Sequence, residues 1–128
     1  MRRQLLIVLL CLVGFACSNP TPDELASLAA KGYYEHLVRG EYGHFLEGKA
    51  GVDSIPDDYR EQLLTAYKQF VALQEKDHHG IREIRISNVK TDTLQKYTNV
   101  FLVLCFGDST NEEIVVPMVE RDGSWRMK

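Results

Sequence analysis

Residues Tyr97–Phe106 read YTNVFLVLCF, and this decapeptide decides the fold. It holds five β-branched or aromatic residues among its first seven, no proline or glycine and no charge, which is the composition of a strand inside a sheet. Both parities are apolar. Tyr97, Phe101, Val103 and Cys105 occupy one face, and Thr98, Val100, Leu102, Leu104 and Phe106 the other. Strands of that kind are expected where both faces of a sheet are covered.

On either side of it the period stays at two. Ile84 and Ile86 alternate with Arg85 and Ser87, and Asp92-Thr93 supplies a turn before Tyr97. Downstream, Gly107–Asn111 (GDSTN) is a turn-rich loop, Glu113–Val119 is a further strand, and Asp122-Gly123 is a hairpin signal before Ser124–Met127. Four antiparallel strands in a meander follow from this order.

Upstream of Gly80 the period is that of helices. Thr21-Pro22-Asp23-Glu24 combines a capping hydroxyl, a proline at the first helical position and acidic residues in the first turn. Leu25, Leu28, Ala29, Gly32, His36 and Leu37 mark the expected buried stripe, and Gly40 stops the helix. A short second segment, Glu41–Glu47, is anchored by Phe45 and Leu46. After a loop, Pro56 opens a longer helix with Asp57, Asp58 and Glu61 near its start. Its apolar side is Tyr59, Leu63, Tyr67, Phe70 and either Val71 or Leu73, and Gly80 ends it. Helices first and strands afterwards argue an α+β domain, two or three helices packed on a curved antiparallel sheet of about four strands.

The extreme amino end carries a different signal. Met1-Arg2-Arg3 is basic, Leu5–Ala16 is an apolar run of twelve residues, and Gly14 and Ala16 are small. This is the three-part pattern of a secretory leader, and its apolar run is too short to span a bilayer. Leu12-Val13-Gly14-Phe15-Ala16-Cys17 resembles a bacterial lipobox, which implies cleavage before Cys17 and acylation of that cysteine. Two or three acyl chains give stable anchoring to a lipid bilayer. Ser18 at the following position leans towards the outer membrane. The expected organisation is a leader over residues 1–16, a lipidated cysteine and short tether over 17–22, and one domain over 23–128. Loss of Arg2 and Arg3 takes the formal charge from −3 to −5. That balance gives no footprint for nucleic acid.

The helix–sheet order, Tyr33-Tyr34 with Gly40-Glu41-Tyr42, the phrase Val103–Thr110 and the ending Val119–Arg126 with its Asp-Gly, Trp and basic residue resemble the nuclear transport factor two-like, cystatin-like cone superfamily. The ending is similar to that of small bacterial lipoproteins of unknown function with this fold. The resemblance implies a pocket between helices and sheet, and its members include isomerases, dehydratases, binding proteins and inert scaffolds. Catalytic members place an acidic residue or histidine and a tyrosine inside the cone. The inward-facing sheet candidates here, Tyr97 or Thr98, Asn99, Phe101 and Val103, supply no acid.

The expected activity is therefore non-enzymatic binding of a small ligand or a protein, with Tyr33, Tyr59, Tyr67, Phe101 and Trp125 lining the pocket. The alternative is an isomerase or hydrolase using His36 or His44 with a tyrosine. No catalytic residue is assigned. His78-His79 reads as a solvated helix end, since adjacent helical residues project about 100° apart and do not share an ion. Cys105 reads as a buried, inert thiol, and Asp108–Asn111 as a turn without calcium-loop spacing. No cofactor or metal is expected. The second apolar face of the sheet calls for a cover, a second copy of the chain or an envelope protein.

Overall fold

The computed structural model describes residues 19–128. The leader and Cys17 lie outside the described residues. Helix α1 spans Pro22–Val38, α2 Tyr42–Glu47 and α3 Asp57–His78, with a single 3-10 turn at Val52–Ser54 between the last two. Strands β1 (Ile81–Asp92), β2 (Tyr97–Phe106), β3 (Asn111–Arg121) and β4 (Ser124–Met127) follow and form one antiparallel sheet in the order β1-β2-β3-β4. The α+β order expected from the sequence is the order observed.

Local chemistry sets the helix ends. The Glu24 amide donates to the Thr21 hydroxyl at 3.2 Å, and Gly40 takes a left-handed φ of +79° beyond the last turn of α1. The buried stripe of α1 differs from the expected one. Leu25 and Leu28 are 44% and 59% exposed, whereas Ala26, Ser27, Ala30 and Leu37 are buried. The helix backbone lies close to the sheet, so the small residues occupy the line of closest approach and the leucines are turned aside. Ser27 remains satisfied there by donating to the Asp23 carbonyl at 2.8 Å.

The sheet curls around α1. Strand β1 pairs with β2 from Asp92↔Tyr97 to Ile81↔Phe106, with register shifts between Ile81 and Glu83 and between Ile86 and Asn88. Such bulges bend a strand and increase its twist. Strand β3 pairs with β2 from Cys105↔Asn111 to Thr98↔Met118. The short β4 covers only Met118–Arg121 of β3, and Met127 bridges on its other side to Lys49.

The register settles the parity of β2. Thr98, Val100, Leu102, Leu104 and Phe106 are buried against the helices. Tyr97, Asn99, Phe101, Val103 and Cys105 form the outer face and are half-exposed. This corrects the expectation that Phe101, Asn99 and Val103 face inward. With apolar side chains on both parities, hydrophobicity alone cannot choose the face. Cross-strand partners do: Thr98 meets Met118, which is fully buried.

At one pole the third helix is stapled to the sheet. His79 adopts a left-handed φ of +59°, the Gly107 amide donates to the Gly80 carbonyl at 2.8 Å, and the Asp108 amide donates to the His78 carbonyl at 3.0 Å. A Cβ on Gly107 would run into the His79 backbone. His78 Nδ1 lies 2.9 Å from Asp108 Oδ2, and its ring stacks on Phe106 with centroids 4.4 Å apart. His78 is thus tied to the Asp108 turn while remaining partly exposed, and His79 is exposed.

Candidate functional site

The candidate site is a cleft of about 250 Å³ where α1, α2 and α3 meet β3 and the end of β4. Tyr34 of α1, Phe45 of α2, Tyr67 of α3, Val116 of β3 and Met127 of β4 form its apolar walls. Three of these rings form an edge-to-face ladder: Tyr34 to Phe45 at 5.1 Å and 80°, and Phe45 to Tyr67 at 4.8 Å and 89°. That geometry sets the positive edge of one ring against the negative face of the next. Phe45 is buried, and Gly48, which follows the last residue of α2, packs so tightly on the Tyr33 ring that a Cβ there would overlap it.

The polar equipment of the cleft is sparse. The Tyr67 hydroxyl is buried and has no hydrogen-bond partner. A buried hydroxyl left unpaired costs free energy that a bound acceptor recovers. Burial raises the pKa of Tyr67, with Tyr59 adding a smaller push, and burial followed by Tyr67 raises that of Tyr34. Both phenols therefore stay protonated donors through the neutral range. Lys49 and Lys128 complete the lining. The Lys128 ammonium rests 4.6 Å from the Tyr97 ring centroid, and its amide closes the edge by donating to the Pro117 carbonyl at 2.8 Å. Among the described residues no ion pair involves Lys49. The lining contains no aspartate, glutamate or histidine.

Of the residues singled out from the sequence, Tyr67 lines this cleft. Tyr33 and Trp125 lie together elsewhere, in a groove between α1 and the β3–β4 hairpin, where the Tyr33 hydroxyl donates to the Trp125 carbonyl at 2.6 Å. Tyr59 is 49% exposed near the start of α3. Phe101 is on the far side of the sheet and does not reach the cavity, for the parity reason given above. Tyr34, Phe45, Val116, Met127, Lys49 and Lys128, with Val115 and Pro117 at the β3 edge, complete the lining and were not among the site residues expected from the sequence. The signal for Tyr34 was available in part, since it is one turn from Val38 and Leu37 on the same helix.

The His36 and His44 rings lie against each other at the α1–α2 corner, tilted by 30° with centroids 5.1 Å apart. His36 Nδ1 sits 3.1 Å from Glu41 Oε1, and the Arg39 guanidinium donates to the same oxygen at 2.7 Å. Arg39 and then His36 hold the Glu41 carboxyl below its usual range. Neither histidine lines the cleft. Cys105 is half-exposed on the outer face, opposite Glu83 and Asn111, and not buried as expected. Among the described residues no group of three or more His, Cys, Asp or Glu side chains is placed to hold a metal ion.

The arrangement of helices in the concavity of a curved four-stranded sheet recurs in a solved structure. A Campylobacter jejuni protein named as an NTF2-like transpeptidase superposes with a TM-score of 0.62 at 14% identity, covering 77% of this chain and 92% of that one. The fold is NTF2-like. A SEC-C motif containing protein from Rhodopseudomonas palustris is also similar, with a TM-score of 0.55 at 11% identity over 81% of this chain and 77% of that one. No family model matches the sequence, and no curated protein matches it. At these identities the NTF2-like likeness covers architecture alone.

Proposed function

We propose that the chain is a lipid-anchored protein of the bacterial cell envelope whose NTF2-like domain binds a small apolar molecule without transforming it. The observation that carries the binding reading is the aromatic cleft with its unpartnered Tyr67 hydroxyl. The volume suits a single ring or a short chain, at the small end of ligand cavities. Lys49 and Lys128 border the cleft, so the preferred ligand carries an anionic or acceptor group on an apolar body. Lipobox-like Leu12–Cys17 supports the anchor.

The lining supports binding over catalysis, because it supplies donors but no side chain that takes up a proton near neutrality. The isomerase or hydrolase alternative would need His36 or His44, and these are engaged with Glu41 and with each other at a corner outside the cleft. The name of the Campylobacter protein raises a transpeptidase reading. Cys105, the cysteine of the described part, has Glu83 and Asn111 as its cross-strand neighbours and no histidine beside it in the register.

The outer sheet face supports a second contact. Phe101, Val103 and Val115 form an apolar stripe, with Val115 51% exposed, bordered by the polar row Glu83, Arg85, Asn88 and Lys90 of β1. A second copy of the chain, paired sheet to sheet, is the proposed cover.

Calorimetric titration with a panel of aryl and medium-chain carboxylates tests the cleft. Saturable binding to the wild type that is lost when Tyr67→Trp fills the cavity is the expected result. Absence of binding at millimolar ligand would overturn the reading.

A further inference from the structure

The strongest unexplained feature is a pole of the domain that exposes aliphatic side chains with no packing role. Leu94 is 93% exposed at the tip of the β1–β2 turn. The turn that presents it is firmly built. Asp92 Oδ1 accepts the Leu94 and Gln95 amides, both at 3.0 Å, the Lys96 amide donates to the Asp92 carbonyl at 2.9 Å, and Lys96 takes a φ of +59°. A turn of this kind holds its tip residue outward rather than letting it fold back on the sheet.

The same pole carries the start of α1. The Thr91 hydroxyl donates to Asp23 Oδ1 at 2.7 Å, which fastens the β1–β2 hairpin to the first turn of the helix. Leu25 and Leu28, the two leucines turned away from the sheet, stand on the first two turns at 44% and 59% exposure. Leu25 also borders the groove with Trp125 at the β3–β4 hairpin. At the opposite pole the turn Gly107–Thr110 exposes no large apolar side chain.

We propose that this pole rests on the bilayer, with Leu94 at the boundary between headgroups and acyl chains and Leu25 and Leu28 beside it. The inference rests on the reading of Cys17 as the lipid anchor. The chain enters α1 at Pro22, five residues after Cys17, and five residues reach at most about 18 Å. An anchor that close holds the pole bearing Pro22 towards the membrane, and an aliphatic tip there replaces water contact with lipid contact. By sequence position this pole carries five carboxylates, Asp23, Glu24, Asp92, Glu120 and Asp122, and two cations, Lys96 and Arg121, and so no excess of positive charge. The attraction is therefore apolar and not directed at anionic headgroups, and salt has little influence on it.

The test uses the full chain, produced with its leader and reconstituted into phosphatidylcholine vesicles whose acyl chains are brominated. Trp125 is the single tryptophan, so a Trp125→Phe background carries either Leu94→Trp or, as the comparison, Leu73→Trp. Leu73 is 52% exposed near the end of α3, at the other pole. Mass spectrometry of the mature amino end accompanies each preparation. With an acylated Cys17, the Leu94→Trp emission shifts to the blue and loses most of its intensity to bromine, while Leu73→Trp is unaffected, and neither result changes at high salt. An acylated chain in which both reporters stay unquenched, or are quenched alike, overturns the orientation and leaves the anchor standing. An unacylated amino end overturns the anchor and this inference with it.

Discussion

Helices α1 and α3 both look amphipathic in sequence, yet the molecule treats them differently. Helix α1 buries Ala26, Ser27, Ala30 and Leu37 in the concavity of the sheet. Helix α3 is longer, at 22 residues, and buries none completely. It is held at its ends. Near its start the Arg60 guanidinium donates to Glu47 Oε1 at 3.1 Å and to the Val52 carbonyl at 3.4 Å, and at its finish His78 meets Asp108. Between those points Tyr67, Phe70 and Val71 lean on the core without being sealed into it. A helix clamped at both ends and lightly packed in the middle leaves room beneath it, and the cleft with the unpartnered Tyr67 hydroxyl is that room.

The contrast can be broken most forcefully at the core of α1. Leu37→Ala, at a site 3% exposed, should cost about 3 kcal/mol in urea unfolding, within the range for buried leucines. Ala30→Leu should cost about 2 kcal/mol by overpacking, since that position is fully buried against the sheet. Removing the cap with Thr21→Ala should cost about 1 kcal/mol. Leu73→Ala on α3 should fall within about 0.5 kcal/mol of wild type. Equal losses at Leu37 and Leu73 would erase the distinction. Amide exchange sharpens it further: the middle of α3 should exchange through local opening well before α1, whose amides follow global unfolding.

Acid provides a subtler probe of the α3 staple. The Thr110 hydroxyl, followed by His78, lowers the Asp108 pKa from 3.8 to about 2. A carboxyl whose folded pKa lies below its unfolded value stabilises the native state above the unfolded pKa. That contribution fades as pH falls from about 4 towards about 2. Amides in the last turn of α3 should therefore lose protection over this interval, and Asp108→Asn should flatten that dependence. Protection that is identical in the two proteins across the interval would show that the pair does not hold the helix end.

Much of this architecture is written in short-range signals. The Thr21–Glu24 cap, the glycines at 40 and 80, the change of period after Gly80 and the Asp122-Gly123 turn each reflect a local steric or hydrogen-bonding rule, and each element forms where its rule places it. The face of β2 that turns inward is not local. Both parities are apolar, so the choice belongs to the pairing with β3 and to the helix that fits the concavity. The buried stripe on α1 departs from its apolar pattern for a related reason, because close approach to a sheet favours alanine where periodicity favours leucine. The cleft was least legible: Phe45 and Tyr34 become walls only through the angle at which α2 leaves α1. His78 and Asp108 are 30 residues apart, and no period or motif relates them.

The bond from the Tyr33 hydroxyl to the Trp125 carbonyl joins residues 92 positions apart. Helix α1, near the start of the domain, thus waits for the last strand before its surroundings are complete, and contacts at such separations form late. A polypeptide emerging amino end first cannot complete the surroundings of α1 until its final hairpin is released, so the two ends of the domain are committed to the fold together.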